Sequence, residues 1–134
     1  LITEAEKLVV KNFKGKVIGK PNYLPDMIRF AGLTACRYSE IIKLTMNDID
    51  FDKRTATLVD TKNGETRTIP LPQQALDILK ARRSFTGNFF QVKSREAFRN
   101  YWDKARINAG LKDFRFHDTR SFAIRKMLKS GTLL

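Results

Sequence analysis

The change of pattern between residues 47 and 71 most constrains the fold. This segment is rich in Thr, Val and Ile, and Asn63 and Gly64 lie in its middle. Asn-Gly between two alternating segments favours a hairpin, because both residues tolerate the positive φ of a type I′ turn. We predict three short antiparallel strands, at about 48–52, 55–61 and 65–70.

The N-terminal third is predicted to be mostly helical. Thr3 and Glu6 form a capping-box pattern for a helix over 3–13, followed by a loop over 15–21. A second helix is predicted over 21–31, with apolar residues at helical spacing: Tyr23, Leu24, Met27, Ile28 and Ala31. We expect a break over 32–36 and another helix over 37–44.

The C-terminal half predicts further helices with recognisable ends. One covers 73–83, a loop with one edge strand covers 86–92, and Ser94 caps a helix that ends before Gly110. The core-facing residues of that helix recur at helical spacing: Phe98, Tyr101, Trp102 and Ala105. Asp118 is predicted to cap a last helix, which Gly131 ends. Together these elements indicate one α+β domain over 1–134, mainly helical with a small three-stranded antiparallel sheet.

The charge is large and unevenly distributed. Lys and Arg number 26 against 14 Asp and Glu, a formal net charge of +12. From Lys80 onward there are 14 basic and four acidic residues, so this part carries most of the excess. Nucleic acid is the commonest partner of such a basic region, although a solvated basic surface or a membrane-facing or ribosomal protein stays open.

The inventory of special residues excludes several other classes. With one cysteine, Cys36, and one histidine, His117, the chain cannot form an internal disulfide or a Cys- or His-rich metal site. We expect no metal and no cofactor. No apolar run approaches the ~20 residues of a membrane span. We expect a cytoplasmic protein without membrane contact. Because the sequence begins with Leu1 and not with Met, we also expect that an N-terminal part of the protein was removed or lies upstream.

Four residues stand out as chemical candidates, at predicted structural edges. Arg37 and the pair His117 and Arg120 lie at helix starts, and Lys62 lies beside the Asn-Gly turn. Helix N-termini and arginines favour phosphate, while His and Lys transfer protons. Together they suit metal-free attack on a phosphodiester. Taken singly, each also has an ordinary explanation: Arg37 pairing with Glu40, Lys62 guarding a strand edge, His117 capping or packing.

Two stretches of the chain resemble the catalytic domain of the tyrosine recombinase, or phage integrase, family: GLTACRYSEIIKLTMNDIDFDKRTATLVDTKNGETRTIPL (32–71) and FHDTRSFAIRKMLKSG (116–131). The family shows an Arg-x-Ser-Glu segment and an Asp-Ile-Asp strand. A Thr-Lys-x-Gly hairpin ending in Arg-x-Ile-Pro-Leu and a His-x-x-Arg box then follow. TEAEKLVV (3–10) is similar to the usual opening of the domain.

The resemblance implies a role for each candidate. Arg37 and Arg120 would bind the scissile phosphate, with Glu40 as a supporting acid. Lys62 would protonate the leaving 5′ oxygen, and His117 would assist by hydrogen bonding or proton transfer. Two arginines on the pentacoordinate phosphate would supply the electrostatic stabilisation that often dominates such reactions.

The sequence departs from the family at three places. Ala35 stands where the family usually has Gly, and Ser121 stands where His is frequent. The nucleophilic tyrosine, expected a few tens of residues past the His-x-x-Arg box, is absent. We expect Tyr23 and Tyr101 to pack in the core and Tyr38 to point away from Arg37. The chain is therefore expected to be a partial catalytic domain, inactive in cleavage, without the N-terminal DNA-binding domains or the C-terminal tyrosine segment.

Two function classes follow. As an enzyme, the full protein would be a site-specific recombinase that integrates or excises a phage or mobile element. It would act through a 3′-phosphotyrosyl intermediate, as a homo-tetramer on double-stranded DNA. A type IB topoisomerase-like enzyme shares this chemistry. The alternative class is a basic DNA-binding module without catalysis, which would not require a histidine or a lysine on a hairpin tip.

Overall fold

The computed structural model describes residues 10–11, 17–19, 23–60, 63–83 and 87–119. Within these ranges the chain forms four α-helices, a three-stranded antiparallel sheet and a separate strand pair. The predicted α+β class is therefore confirmed.

The first helix, α1, covers Leu24–Thr34, three residues later than predicted at each end. Its predicted apolar face is buried, and Phe30 adds to it. The expected break over 32–36 is wrong in its first part, because the helix continues through Gly32. It ends where Ala35 adopts a left-handed conformation (φ 60°, ψ 21°) and donates its N–H to the carbonyl of Ala31 at 3.0 Å. This left-handed cap, rather than the glycine, ends the helix.

Helix α2 covers Tyr38–Lys43, close to its prediction. A short 3₁₀ turn at Met46–Asp48 follows and leads into the sheet. Thr45, just before that turn, makes a single β-bridge with Asn88. The edge strand predicted over 86–92 is thus reduced to one bridged residue among those described.

The sheet has the order β3-β4-β5, with Ile49–Asp50, Thr55–Asp60 and Glu65–Pro70 as its strands. The three predicted strands are confirmed within two residues. Ala56 and Leu58 of β4 are buried, and β4 packs against α2.

The hairpin predicted around Asn63 and Gly64 is confirmed, although these two residues do not form a type I′ turn. Asp60 pairs with Glu65, so the connection comprises four residues, 61–64. Gly64 has a φ of +66°, but Asn63 is not among the described residues with positive φ, as a type I′ turn would require. Gly64 adopts this φ without the steric cost that a side chain would bring.

Two N-terminal predictions are also wrong. Val10–Lys11 forms strand β1, where we predicted a helix, and Val17–Gly19 forms strand β2, where we predicted a loop. The two strands pair antiparallel. The β-branched residues Val10, Val17 and Ile18 lie in these strands, a conformation that β-branched residues favour. The remainder of the predicted N-terminal helix lies outside the described residues.

Helices α3 and α4 complete the core. Helix α3 covers Gln73–Ala81, and α4 covers Arg95–Asn108. The hydroxyl of Ser94 accepts the N–H of Ala97 at 3.1 Å, and Gly110 follows the helix end with a φ of +78°. Both predicted end signals of α4 are confirmed. Helix α1 packs against α2, α3 and α4, so it forms the centre of the core.

The last predicted helix begins differently from our prediction. Asp118 is not its cap but lies within its first turn, as does Thr119. The Asp118 carboxylate accepts the backbone N–H of Arg115 at 2.7 Å, three residues earlier. Asp118 therefore acts like the acidic residue of a capping box: from within the first turn, its carboxylate accepts a backbone N–H that precedes the helix. Its predicted end at Gly131 lies outside the described residues. In the described part of the chain, no helix has both the length and the apolar character needed to cross a bilayer.

Candidate active site

An open cleft of about 830 Å³ lies between the start of α2, one face of α4 and the segment 112–117. Six cationic side chains line it: Arg37, Arg95, Arg99, Arg106, Lys112 and Arg115. Asp103 and Asp113 are the carboxylates in this lining, and Asp103 pairs with Arg106 at 2.9 Å. The cleft thus has a clear excess of positive charge, which suits a polyanion.

Arg37 lies at one wall of the cleft because of the way α1 ends. The left-handed Ala35 turns the chain, and Arg37 then adopts an extended conformation (φ −80°, ψ 156°) as the N-cap residue of α2. Its side chain is exposed. A guanidinium at a helix N-terminus lies where phosphate is favoured by both charge and the free N–H groups of the helix.

His117 lies in the same cleft, which it reaches from the far end of the described chain. Its exposed side chain follows Phe116, which is 9% exposed. The Phe116 ring contacts those of Phe98 and Trp102, with centroids 5.2 and 5.4 Å apart. The buried phenylalanine therefore anchors the segment that carries the histidine.

Glu40 does not pair with the Arg37 side chain in the way its spacing suggested. Its Oε1 accepts the backbone N–H of Arg37 at 2.8 Å. Its carboxylate also forms a bidentate ion pair with Arg67 of β5, with a shortest distance of 2.8 Å. Glu40 thus holds the Arg37 backbone and leaves its guanidinium outside this ion pair.

The tyrosines occupy two kinds of position. Tyr23 is buried and Tyr101 is half-buried against the core, as predicted. Burial raises the pKa of Tyr23 to about 12. Tyr38 lines the cleft together with Arg37, and its ring packs 4.6 Å from that of Phe98. Burial raises the pKa of Tyr38, an effect that nearby Arg95 opposes.

The other predicted site residues lie outside the described ranges. Lys62 falls within 61–62, and Arg120 immediately follows the last described residue. The structure therefore brings together Arg37 and His117, with Glu40 behind Arg37, and leaves the other two as predictions. Within the ranges described, no group of three or more His, Cys, Asp or Glu side chains could hold a metal ion.

Sequence reasoning missed the basic face of α4. Arg95, Arg99 and Arg106 all line the cleft, and Arg95 lies over the ring of Tyr38 at 5.0 Å. Spacings of four and seven residues place them on one side of a helix. This pattern was readable in the sequence, but nothing in it showed that this side would face Arg37.

Comparisons with known proteins agree with this geometry. The sequence model of the phage integrase family matches residues 16–133. A putative integrase/recombinase of Haemophilus influenzae is 40% identical over 97 residues, covering 68% of this chain and 26% of the relative. The shufflon-specific DNA recombinase of Escherichia coli is 35% identical over 101 residues, covering 75% of this chain and 26% of the relative. The chain thus spans about a quarter of the length of these relatives.

Solved structures show the same fold. The catalytic domain of bacteriophage HP1 integrase superposes with a TM-score of 0.68 at 19% identity, over 97% of this chain and 67% of that one. The Tn1549 transposon integrase, solved in complex with circular intermediate DNA, gives 0.61 at 18% identity, over 82% of this chain and 46% of that one. Since the family model covers most of the sequence and the fold is that of an integrase catalytic domain, the chain belongs to the phage integrase family of tyrosine recombinases.

Proposed function

We propose that the protein carrying this chain cuts and rejoins double-stranded DNA at specific sites, to integrate or excise a phage or mobile element. The observation that supports this most is that Arg37 and His117, far apart in sequence, line one basic cleft. The relatives support it too, since one is named a DNA recombinase and a structural neighbour was solved with DNA.

The proposed reaction is a transesterification at one phosphodiester. A tyrosine oxygen attacks the phosphorus, and the bond from phosphorus to the 5′ oxygen breaks. The products are a 3′-phosphotyrosyl link and a free 5′ hydroxyl. The tyrosine loses one proton and the 5′ oxygen gains one, so the step is balanced. A 5′ hydroxyl from a partner strand then reverses it.

Each predicted residue has a place in this proposal. Arg37 and Arg120 neutralise the nonbridging oxygens, whose charge increases in the transition state. Lys62 protonates the 5′ oxygen, and His117 hydrogen-bonds or transfers a proton at the phosphate. The basic residues of α4 and 112–115 hold the flanking backbone, which is the salt-sensitive part of DNA binding.

We propose that the nucleophile comes from outside residues 1–134. Tyr23 and Tyr101 pack against the core, and burial raises the pKa of Tyr23 to about 12, which disfavours the phenolate. The Tyr38 ring is held between Phe98, at 4.6 Å, and Arg95, at 5.0 Å. We also propose a homo-tetramer on two DNA sites for the full protein.

The proposal is tested with the full protein and a nicked suicide DNA substrate that traps the covalent intermediate. Wild type should form the adduct, and Arg120→Ala should abolish it while duplex binding largely remains. Adduct formation at the wild-type rate by Arg120→Ala would remove Arg120 from the active site. A non-catalytic DNA-binding module, the second candidate, predicts DNA binding without any adduct from wild type.

A further inference from the structure

The inference concerns Arg67, whose side chain faces α2 because of the register of the hairpin. Arg67 pairs with Leu58, and Ile69 pairs with Ala56. Cross-strand partners share a face of the sheet, and Leu58 and Ala56 are both buried. Arg67 therefore lies on the same face of β5 as Ile69, the face that packs on the core. At the edge of that face its side chain contacts Glu40.

The contact between Arg67 and Glu40 is geometrically specific. The Arg67 Nη2 donates to both carboxylate oxygens, at 2.8 and 2.9 Å, and its Nε donates to Oε2 at 3.2 Å. The Glu40 side chain is 11% exposed and that of Arg67 is 47% exposed. A nearly buried carboxylate held by a planar fork has a fixed position, unlike an ordinary surface ion pair.

The same carboxylate also holds Arg37. Oε1 of Glu40 accepts both the Nη2 of Arg67 and the backbone N–H of Arg37, each at 2.8 Å. Glu40 would otherwise be an uncompensated negative charge three residues from the Arg37 guanidinium, a spacing at which helix side chains pair. In the described part of the chain, the ion pairs do not include Arg37.

We propose that Arg67 is a positioning residue for the phosphate-binding Arg37. It neutralises Glu40 and fixes the carboxylate that anchors the Arg37 backbone, so the Arg37 guanidinium stays available to the phosphate. Arg67 also ties β5, the strand that follows the connection containing Lys62, to the helix that follows Arg37. This inference rests on the proposed function, because the role of Arg67 is to prepare the cleft for a phosphodiester.

The test uses the full protein and measures two quantities for each variant: the rate of DNA cleavage at a saturating DNA concentration, and the affinity for DNA. Arg67→Ala should slow the cleavage step by about 10- to 100-fold, the size of effect that a small misplacement of a catalytic group produces. DNA affinity and melting temperature should stay close to wild type. The cleavage rate of Arg67→Lys should lie between those of wild type and Arg67→Ala, since an ammonium keeps the positive charge but not the planar, bidentate geometry of the guanidinium. Arg83→Ala, which removes an exposed arginine outside the cleft, is the matched control and should cleave normally.

A charge exchange separates positioning from simple stabilisation. The double variant Arg67→Glu/Glu40→Arg restores an ion pair, but an arginine at position 40 cannot accept the N–H of Arg37. We expect its melting temperature, like that of Arg67→Ala, to stay close to wild type, while its cleavage stays slow. Recovery of cleavage by this variant would overturn the proposal.

Three other outcomes would also overturn it: normal cleavage by Arg67→Ala, a defect that saturating DNA removes, or an unchanged Arg37 amide NMR signal in Arg67→Lys. The amide signal needs no catalysis and remains available if Arg67→Ala fails to fold. If wild type itself forms no adduct, the proposed function fails. If wild type cleaves and Arg67→Ala cleaves equally, only the role of Arg67 fails.

Discussion

The ring of Tyr38 lies 4.6 Å from the ring of Phe98, measured between centroids, and this contact joins two walls of the cleft. Tyr38 is the first residue of α2, directly after Arg37, and Phe98 lies on α4 among the basic residues. Phe116 closes the cluster, with its centroid 5.2 Å from that of Phe98. The cleft is therefore held together by aromatic packing beneath its charged surface.

Replacing Phe98 should destabilise the protein strongly. Phe98 is 5% exposed and contacts three other rings, so Phe98→Ala removes its burial and leaves a cavity. We expect a loss of about 3–5 kcal/mol in the free energy of unfolding. Ile107→Ala is the control on the same helix; Ile107 is 55% exposed, and its loss should cost within about 0.5 kcal/mol. Urea unfolding of both variants measures the difference, and equal losses would contradict the assignment of Phe98 to the core.

Glycine at position 35 should stabilise the protein. Ala35 has a φ of 60°, a region that costs an L-residue about 1–2 kcal/mol and costs glycine little. Because glycine also gains freedom in the unfolded chain, we expect a net gain of roughly 1 kcal/mol for Ala35→Gly. Ala97→Gly, in the ordinary helical region of α4, should instead destabilise. Thermal unfolding checks both signs, and a loss of stability in Ala35→Gly would contradict the left-handed conformation.

Stability should fall at alkaline pH partly because of Tyr23. Its pKa is raised from 10.0 to about 12, so the unfolded chain loses the proton first. The protonated Tyr23 makes its full contribution to the free energy of unfolding below about pH 10. This contribution, roughly 2–3 kcal/mol in total, is lost as the pH rises toward about 12. The difference in unfolding free energy between wild type and Tyr23→Phe should therefore change across this window. A constant difference would show that Tyr23 titrates normally.

DNA binding by residues 1–134 alone should be weak and strongly salt-dependent, without a covalent adduct. Each phosphate contact steepens the plot of log affinity against log salt by about 0.9. Arg115 lines the cleft, so Arg115→Gln should reduce the steepness of this plot by about 0.9, the value for one phosphate contact. Arg83→Gln should leave the slope unchanged. Fluorescence anisotropy over a salt series measures both slopes. Equal slopes in the two variants would place the DNA away from the cleft.

The local features of the fold could be predicted from the sequence. Ser94 and Gly110 bound α4 as their residue types favour, and the strands on either side of the hairpin have nearly their predicted ends. The length of the connection could not be predicted from the Asn-Gly pair alone, since Asp60 pairs with Glu65 and leaves four residues between the strands. The N-terminal helix prediction failed at Val10–Lys11, which forms a strand.

The candidate site was predicted less completely than the fold. The motifs identified Arg37 and His117, but the sequence spacing suggested that Glu40 would pair with the Arg37 side chain. The carboxylate instead pairs with Arg67, from a strand far away in sequence. Side-chain partners of this kind depend on tertiary packing, which no local pattern encodes.

The aromatic cluster makes the cleft depend on completed tertiary packing. β4 and β5 are joined by four residues, so their hairpin forms after closure of a short loop. The cleft forms only when residues 38, 98 and 116, from separate segments, come together. A chain in which these three residues have not come together has no cleft. A polyanion that binds the assembled cleft therefore favours the completed native state and shifts the folding equilibrium toward it.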